Sequence, residues 1–240
     1  MQRYFYRLVF SIIAGSFLLG ATARQPEIVN YPKPDLEVDL SAFRRGGCNV
    51  DRDGNLNCEW ESPVADLGCT TLSQPSDLLG GLNPKFPLAV CKQRSARSRP
   101  ATGEYIYQTG GLLPTYYRYV VYKNGKFSLI KNEREFKNTF APIESSQEAL
   151  SYALAVKNLQ AFYGQQINPD YEYFVDKIED TRVQQNRDGY LINLYEKRIF
   201  GCGPHPTSVV NVLVTRDGNV REVSRKEVYK NPQEDFLCVD

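Results

Sequence analysis

The sequence predicts an α+β fold: an antiparallel sheet with one main helix packed on it, preceded by a disulfide-rich irregular and β-hairpin region. Four Asp-Gly or Asn-Gly turns lie between strand-like runs. One long segment combines helical spacing with a capping box, and four of the six cysteines crowd the first half of the chain. Strands that cluster after a helix and are joined by tight turns belong to the α+β pattern.

The first segment has the form of an export signal. Arg3 and Arg7 precede an apolar run from Leu8 to Leu19, and Ala21-Thr22-Ala23 supplies small residues at the positions a signal peptidase inspects. The run is 12 residues, short of the roughly 20 that cross a bilayer. The expected division is therefore a signal peptide at 1–23, a Cys-rich N-terminal region at 24–100 and an α+β domain at 101–240. Cleavage near Ala23 would place the rest in a secreted or periplasmic setting, without stable membrane insertion. The basic run Arg94, Arg97, Arg99 ending at Pro100 is the expected boundary between the two regions, a solvated linker.

An oxidising compartment sets the chemistry of Cys48, Cys58, Cys69, Cys91, Cys202 and Cys238. Their even count suits three disulfides, and no pair has the C-x₂₋₄-C spacing of a zinc site. Loop-closure entropy favours local pairs, hence Cys202–Cys238. The turn at Asp51-Arg52-Asp53-Gly54-Asn55, in its bulged form, sets Cys48 across from Cys58. Pairing of Cys58 with Cys69 or Cys91 stays open on the sequence alone. The same Arg-Asp-Gly turn recurs at Arg187-Asp188-Gly189 and Arg216-Asp217-Gly218.

Further along, Lys123-Asn124-Gly125-Lys126 has the chemistry of a two-residue type I′ turn, pairing Tyr122 with Phe127 and Val120 with Leu129. A short helix is expected over 133–139 with Asn132 as its cap. The main helix starts at a Ser145/Glu148 capping box and runs to Gly164, placed for a left-handed C-terminal cap. Tyr152, Val156, Leu159 and Tyr163 make one stripe on it, and Leu150, Leu154 and Ala161 a second, so two of its sides are expected to be covered. Val210, Val212 and Val214 alternate with Val209, Asn211 and Leu213; a strand apolar on both faces is central and covered.

Residues 144–229 resemble the PepSY and cystatin-like style of secreted module. The likeness is carried by Glu148-Ala149 opening the capped helix, by Asp188-Gly189-Tyr190-Leu191, and by Val210 to Val220 as a strand, turn and returning strand. Members of that family bind or inhibit peptidases in the cell envelope, so the resemblance implies an interaction role. The insert Phe200-Gly201-Cys202-Gly203-Pro204-His205-Pro206 stands outside that pattern. With the closing Leu237-Cys238-Val239-Asp240, it makes the whole chain similar to a bacterial secreted protein.

Composition narrows function by subtraction. Lys and Arg total 29 against 28 Asp and Glu, which lacks the basic footprint of a nucleic-acid partner. Glycine-rich phosphate loops and G-x-S-x-G elbows are missing, and the Asp51, Asp53, Asn55 set puts Gly54 at the wrong position for a calcium loop. No cofactor and no metal is expected. His205 is the single histidine. A Cys202/His205 dyad would need a free thiol, so the expected reading is a rigid, disulfide-pinned loop. Tyr117 and Tyr119, in a tyrosine-dense strand, are candidate aromatic contacts for a ligand. The predicted function is a secreted or periplasmic non-catalytic protein that binds a peptide, protein or glycan of the cell envelope, with His205, Tyr117 and Tyr119 as candidate binding residues. The alternative is a secreted hydrolase using the Cys202/His205 loop or carboxylates.

Overall fold

The computed structural model describes residues 25–94 and 103–239. The expected signal peptide with its Ala23 site and the linker residues Arg97, Arg99 and Pro100 lie outside them. Along the chain run β1 (Glu27–Val29), α1 (Ser41–Arg45), β2 (Cys48–Val50), β3 (Leu56–Cys58), β4 (Thr71–Ser73) and β5 (Leu88–Arg94). After β6 (Tyr107–Thr109), β7 (Thr115–Lys123) and β8 (Lys126–Ile130) come two helices, α2 (Glu133–Phe140) and α3 (Ser146–Val156). The chain closes with β9 (Glu172–Tyr173), β10 (Lys177–Glu179), β11 (Val183–Gln185), β12 (Gly189–Lys197), β13 (Gly201–Cys202), β14 (Thr207–Thr215), β15 (Val220–Lys230) and β16 (Cys238–Val239). The protein is mainly β, with a few helices and three disulfides.

The expected single sheet is two five-stranded sheets, beside which β1-β10, β2-β3 and β13-β16 pair as two-stranded ribbons. One five-stranded sheet runs β4-β5-β7-β6 with β8 also paired to β7; the other runs β11-β12-β14-β15-β9. The boundary expected near residue 100 falls between β5 and β7, which pair from Leu88–Val121 to Arg94–Thr115. The Cys-rich region and the later domain thus share a sheet, joined by backbone hydrogen bonds that composition does not reveal.

Strand alternation divides β7 between two cores. Tyr119 and Val121 enter a large cluster with Leu150 and Tyr152 of α3 and with Ile192, Val210 and Val212 of the second sheet. Val120 faces the other way, into a smaller cluster with Phe43, Cys48, Leu56 and Cys91. Helix α3 therefore packs against both sheets, and every residue from Ala149 to Val156 is buried. Its two apolar stripes have two surfaces to cover. Ser151 lies in the middle of this buried helix because its Oγ accepts the Gly81 N–H at 3.1 Å and donates to the Leu78 carbonyl. Gly81 must be glycine there, since a Cβ would stand 2.5 Å from that Oγ.

Turns follow the local chemistry closely. Asn124 (φ 53°) and Gly125 (φ 78°) make the left-handed pair of a type I′ turn, and Tyr122 pairs with Phe127 as expected. Gly54 and Gly218 take positive φ in bulged turns, and Cys48 lies opposite Cys58. The middle turn departs from that form: Asn186 donates its N–H to the Gly189 carbonyl at 2.8 Å, closing a two-residue turn. Asn132 and Ser145 cap α2 and α3 through the Glu135 and Glu148 N–H groups.

Helix α3 stops eight residues before Gly164. Lys157 is extended, and Gln160 exchanges two backbone hydrogen bonds with Tyr195 of β12, both at 2.8 Å. Those bonds satisfy backbone groups that a longer helix would have paired internally, so pairing with the second sheet overrides the helical spacing of Leu159 and Tyr163. Gly164 keeps a positive φ of 66°, in a turn whose N–H donates to the buried Asp180 carboxylate at 2.8 Å.

At the sheet margins, β9 pairs with β15 only at Tyr229 and Lys230, leaving Val220 to Glu227 as an outer edge. The register slips there between Asn211 and Val212. Among the described residues no helix is long and apolar enough to cross a membrane.

Candidate functional site

The early end of α3 opens a space between the two sheets. Tyr119 points onto the helix, where its hydroxyl donates to the Ala155 carbonyl at 3.0 Å. Tyr117, two residues earlier on the same face, passes beyond Val156 and borders a cleft of about 600 Å³. Across the cleft stand Glu196 and Arg198, then Ile199, Phe200 and Pro206 of the insert, with Ser208 and Arg225 on the sheet floor. Asn158 and Gln160, from the extended segment after α3, border it too. Tyr117 and the disulfide-held loop, separated by some eighty residues of chain, thus share one site.

The loop is held at several points. Arg198 donates its N–H to the Pro206 carbonyl at 3.0 Å, closing the base. Cys202 is bonded to Cys238 across the β13–β16 pair, with Sγ–Sγ 2.02 Å. His205 lies beneath, 3 % exposed. Its Nδ1 is 2.9 Å from the Arg198 carbonyl and its Nε2 is 3.1 Å from the Leu237 carbonyl. A ring protonated on both nitrogens donates to both carbonyls; a neutral ring donates to one. The ring sits between the loop and the C-terminal segment and is not among the residues that border the cleft.

Of the candidate binding residues, only Tyr117 borders the cleft; Tyr119 is core, and His205 is part of the loop's foundation. His205→Ala is expected to lower stability by about 2 kcal/mol, because the buried ring is lost together with its hydrogen bonding to the Arg198 and Leu237 carbonyls. Urea unfolding checks this, and an unchanged midpoint would contradict it.

Lys197, Glu196 and Arg225 at the cleft are neutralised by ion pairs, whereas Arg198 and Glu227 have no ion-pair partner among the described residues. Arg225 is gripped first by the Glu222 carboxylate, with Glu196 adding to it, and both raise its pKa. Glu222 is correspondingly held below its ordinary value by Arg225. Lys197 and Glu234 pair at 2.7 Å, which lowers the Glu234 pKa. What the walls present to a ligand is the Tyr117 phenol, amides and hydroxyls, the charged groups of Arg198 and Glu227, and the apolar surfaces of Ile199, Phe200 and Pro206.

All six cysteines are paired, Cys48–Cys58, Cys69–Cys91 and Cys202–Cys238, and none is free among the described residues. This resolves the pairing of Cys58 that the sequence left open. The Cys202/His205 dyad lacks its thiolate. No group of three or more potential metal ligands occurs among the described residues. Sequence reasoning missed Asn158, Gln160 and Arg225; the only signal for the first two was a helical spacing that tertiary pairing overrode. Compared with family models, with curated proteins and with solved structures, the chain matches none.

Proposed function

We propose that this chain is an exported, non-catalytic binding protein whose ligand is an envelope component held in the cleft between the two sheets. One observation carries the reading: Tyr117 of β7 and the stapled loop from Arg198 to Pro206 border a single cleft of about 600 Å³. A rigid wall and an aromatic wall facing each other are what a pre-formed binding site requires. Three disulfides favour a compartment outside the reducing cytoplasm. The PepSY-like reading of residues 144–229 draws support from the element order there, a capped helix followed by the antiparallel β11-β12 and β14-β15 strands.

NMR of labelled protein with soluble envelope fractions tests this reading. Amide shifts are expected at 195–200, 206–208 and 225–227, and Ser208→Trp, which fills the cleft floor, is expected to abolish them. Shifts confined to other surfaces, or a variant that responds like the wild type, would overturn it.

A second reading, hydrolysis by carboxylates, rests on Glu196 and Glu227, which flank Ser208 in one row across three strands. Glu196 is ion-paired with Arg225 and Glu227 is exposed. One carboxylate is thus tied to a guanidinium and the other faces solvent, so binding is the better-supported reading.

A further inference from the structure

The cleft continues past Tyr117. A second cavity of about 340 Å³ adjoins it, lined mainly by the apolar side chains of Leu78, Leu79, Val90, Leu154, Leu159 and Ala161, beside Ser76, Tyr107, Tyr119 and Gln160. Gln160 borders both cavities. The rings of Tyr107 and Tyr117 stack at 4.5 Å across the boundary, Tyr107 on the apolar side and Tyr117 on the polar side.

Two of the hydroxyls bordering this cavity are already engaged. The Tyr119 hydroxyl donates to Ala155, and the Ser76 Oγ accepts the Leu78 N–H at 3.3 Å. Burial pushes the Tyr107 and Tyr119 phenols up, so both walls stay uncharged. A cavity lined largely by leucine, valine and alanine side chains accepts apolar groups. Its origin is the same early end of α3: a helix continued to Gly164 would occupy the space that the extended residues 157–163 leave open.

We propose that the two cavities form one site for a single-chain acyl amphiphile, its tail among Leu79, Leu154 and Leu159 and its polar head in the cleft near Asn158 and Arg198. The inference rests on the binding reading above and names its ligand class. A peptide or glycan would fill the polar cleft and leave the apolar cavity unused; an amphiphile matches both. Arg198 has no acid within ion-pair distance among the described residues, which suits a carboxylate head.

Calorimetric titration of the disulfide-intact protein with straight-chain fatty acids, from caproate to palmitate, tests the proposal. Affinity is expected to tighten about fourfold for each added methylene until the cavity is full, and then to level off. Ala161→Phe, which narrows the cavity, is expected to weaken palmitate about tenfold or more and to leave caproate nearly unchanged. A chain-length series with no slope on the wild type overturns the proposal, as does wild-type palmitate affinity in a folded Ala161→Phe protein. If that variant does not fold, the wild-type series decides alone. Fatty acids failing to bind while envelope fractions still shift the cleft amides would overturn the amphiphile and spare the binding reading; failure of both would remove both.

Discussion

Replacing Cys69 and Cys91 together by alanine is expected to lower stability by about 3 kcal/mol, on the entropy of the loop their bond closes. The two are 22 residues apart, and between them lie β4, which has only three residues, and the turn at Asp77–Gly81 that seats on α3. Cys91 is fully buried in the smaller core, where Cys48, Leu56 and Val120 also pack. That cluster contains few large side chains, so covalent closure carries a share of stability that a bigger core would supply through burial. Loss of the thioether-sized volume at Cys91 adds a small cavity penalty. Urea or guanidinium unfolding of the double variant measures the effect. A loss under about 1 kcal/mol would mean the first sheet holds β4 without the bond.

Alkaline pH is expected to unfold the protein steeply. Tyr119, Tyr152 and Tyr195 are each 1 % exposed, and burial is the leading cause that raises all three phenols. Tyr195 is pushed up to about 12, while an unfolded tyrosine titrates near 10. The folded state therefore binds more protons than the unfolded state above pH 10. The stabilisation is complete below that pH and is lost as pH rises toward 12. Three such groups steepen the fall by up to about 4 kcal/mol per pH unit. Ultraviolet difference spectra of tyrosinate, followed alongside circular dichroism, should show the buried phenols ionising together with unfolding. Smooth titration of all 16 tyrosines near pH 10 with the fold intact would refute the burial argument.

Local chemistry was the legible part of this chain. Asn124-Gly125 fixed its turn type because only residues tolerant of positive φ serve there, and Ser145/Glu148 marked the start of α3 because two orphan N–H groups needed acceptors. Loop length pointed to Cys202–Cys238, and hairpin register suggested Cys48–Cys58 while leaving Cys69 and Cys91 open as partners of Cys58. Long-range pairing was the illegible part. Nothing in Lys92, Gln93 and Arg94 announces that they face Tyr117, Tyr116 and Thr115 across a strand pair, so one main sheet was expected where two five-stranded sheets exist. Leu159 and Tyr163 keep helical spacing yet lie in an extended segment, because Gln160 meets Tyr195. The candidate site was half legible for the same reason. Tyr117 and the 198–206 loop each stood out in the sequence, but their meeting depends on where a helix ends.

The outer strand of the second sheet has one more consequence. Its uncovered stretch reads Arg221-Glu222-Val223-Ser224-Arg225-Lys226-Glu227, dense in ions, and it is kinked where the ladder loses step. A neighbouring molecule attempting to extend the sheet would have to strip hydration from those ions and match a bent template. Fibre growth from this side is thereby discouraged.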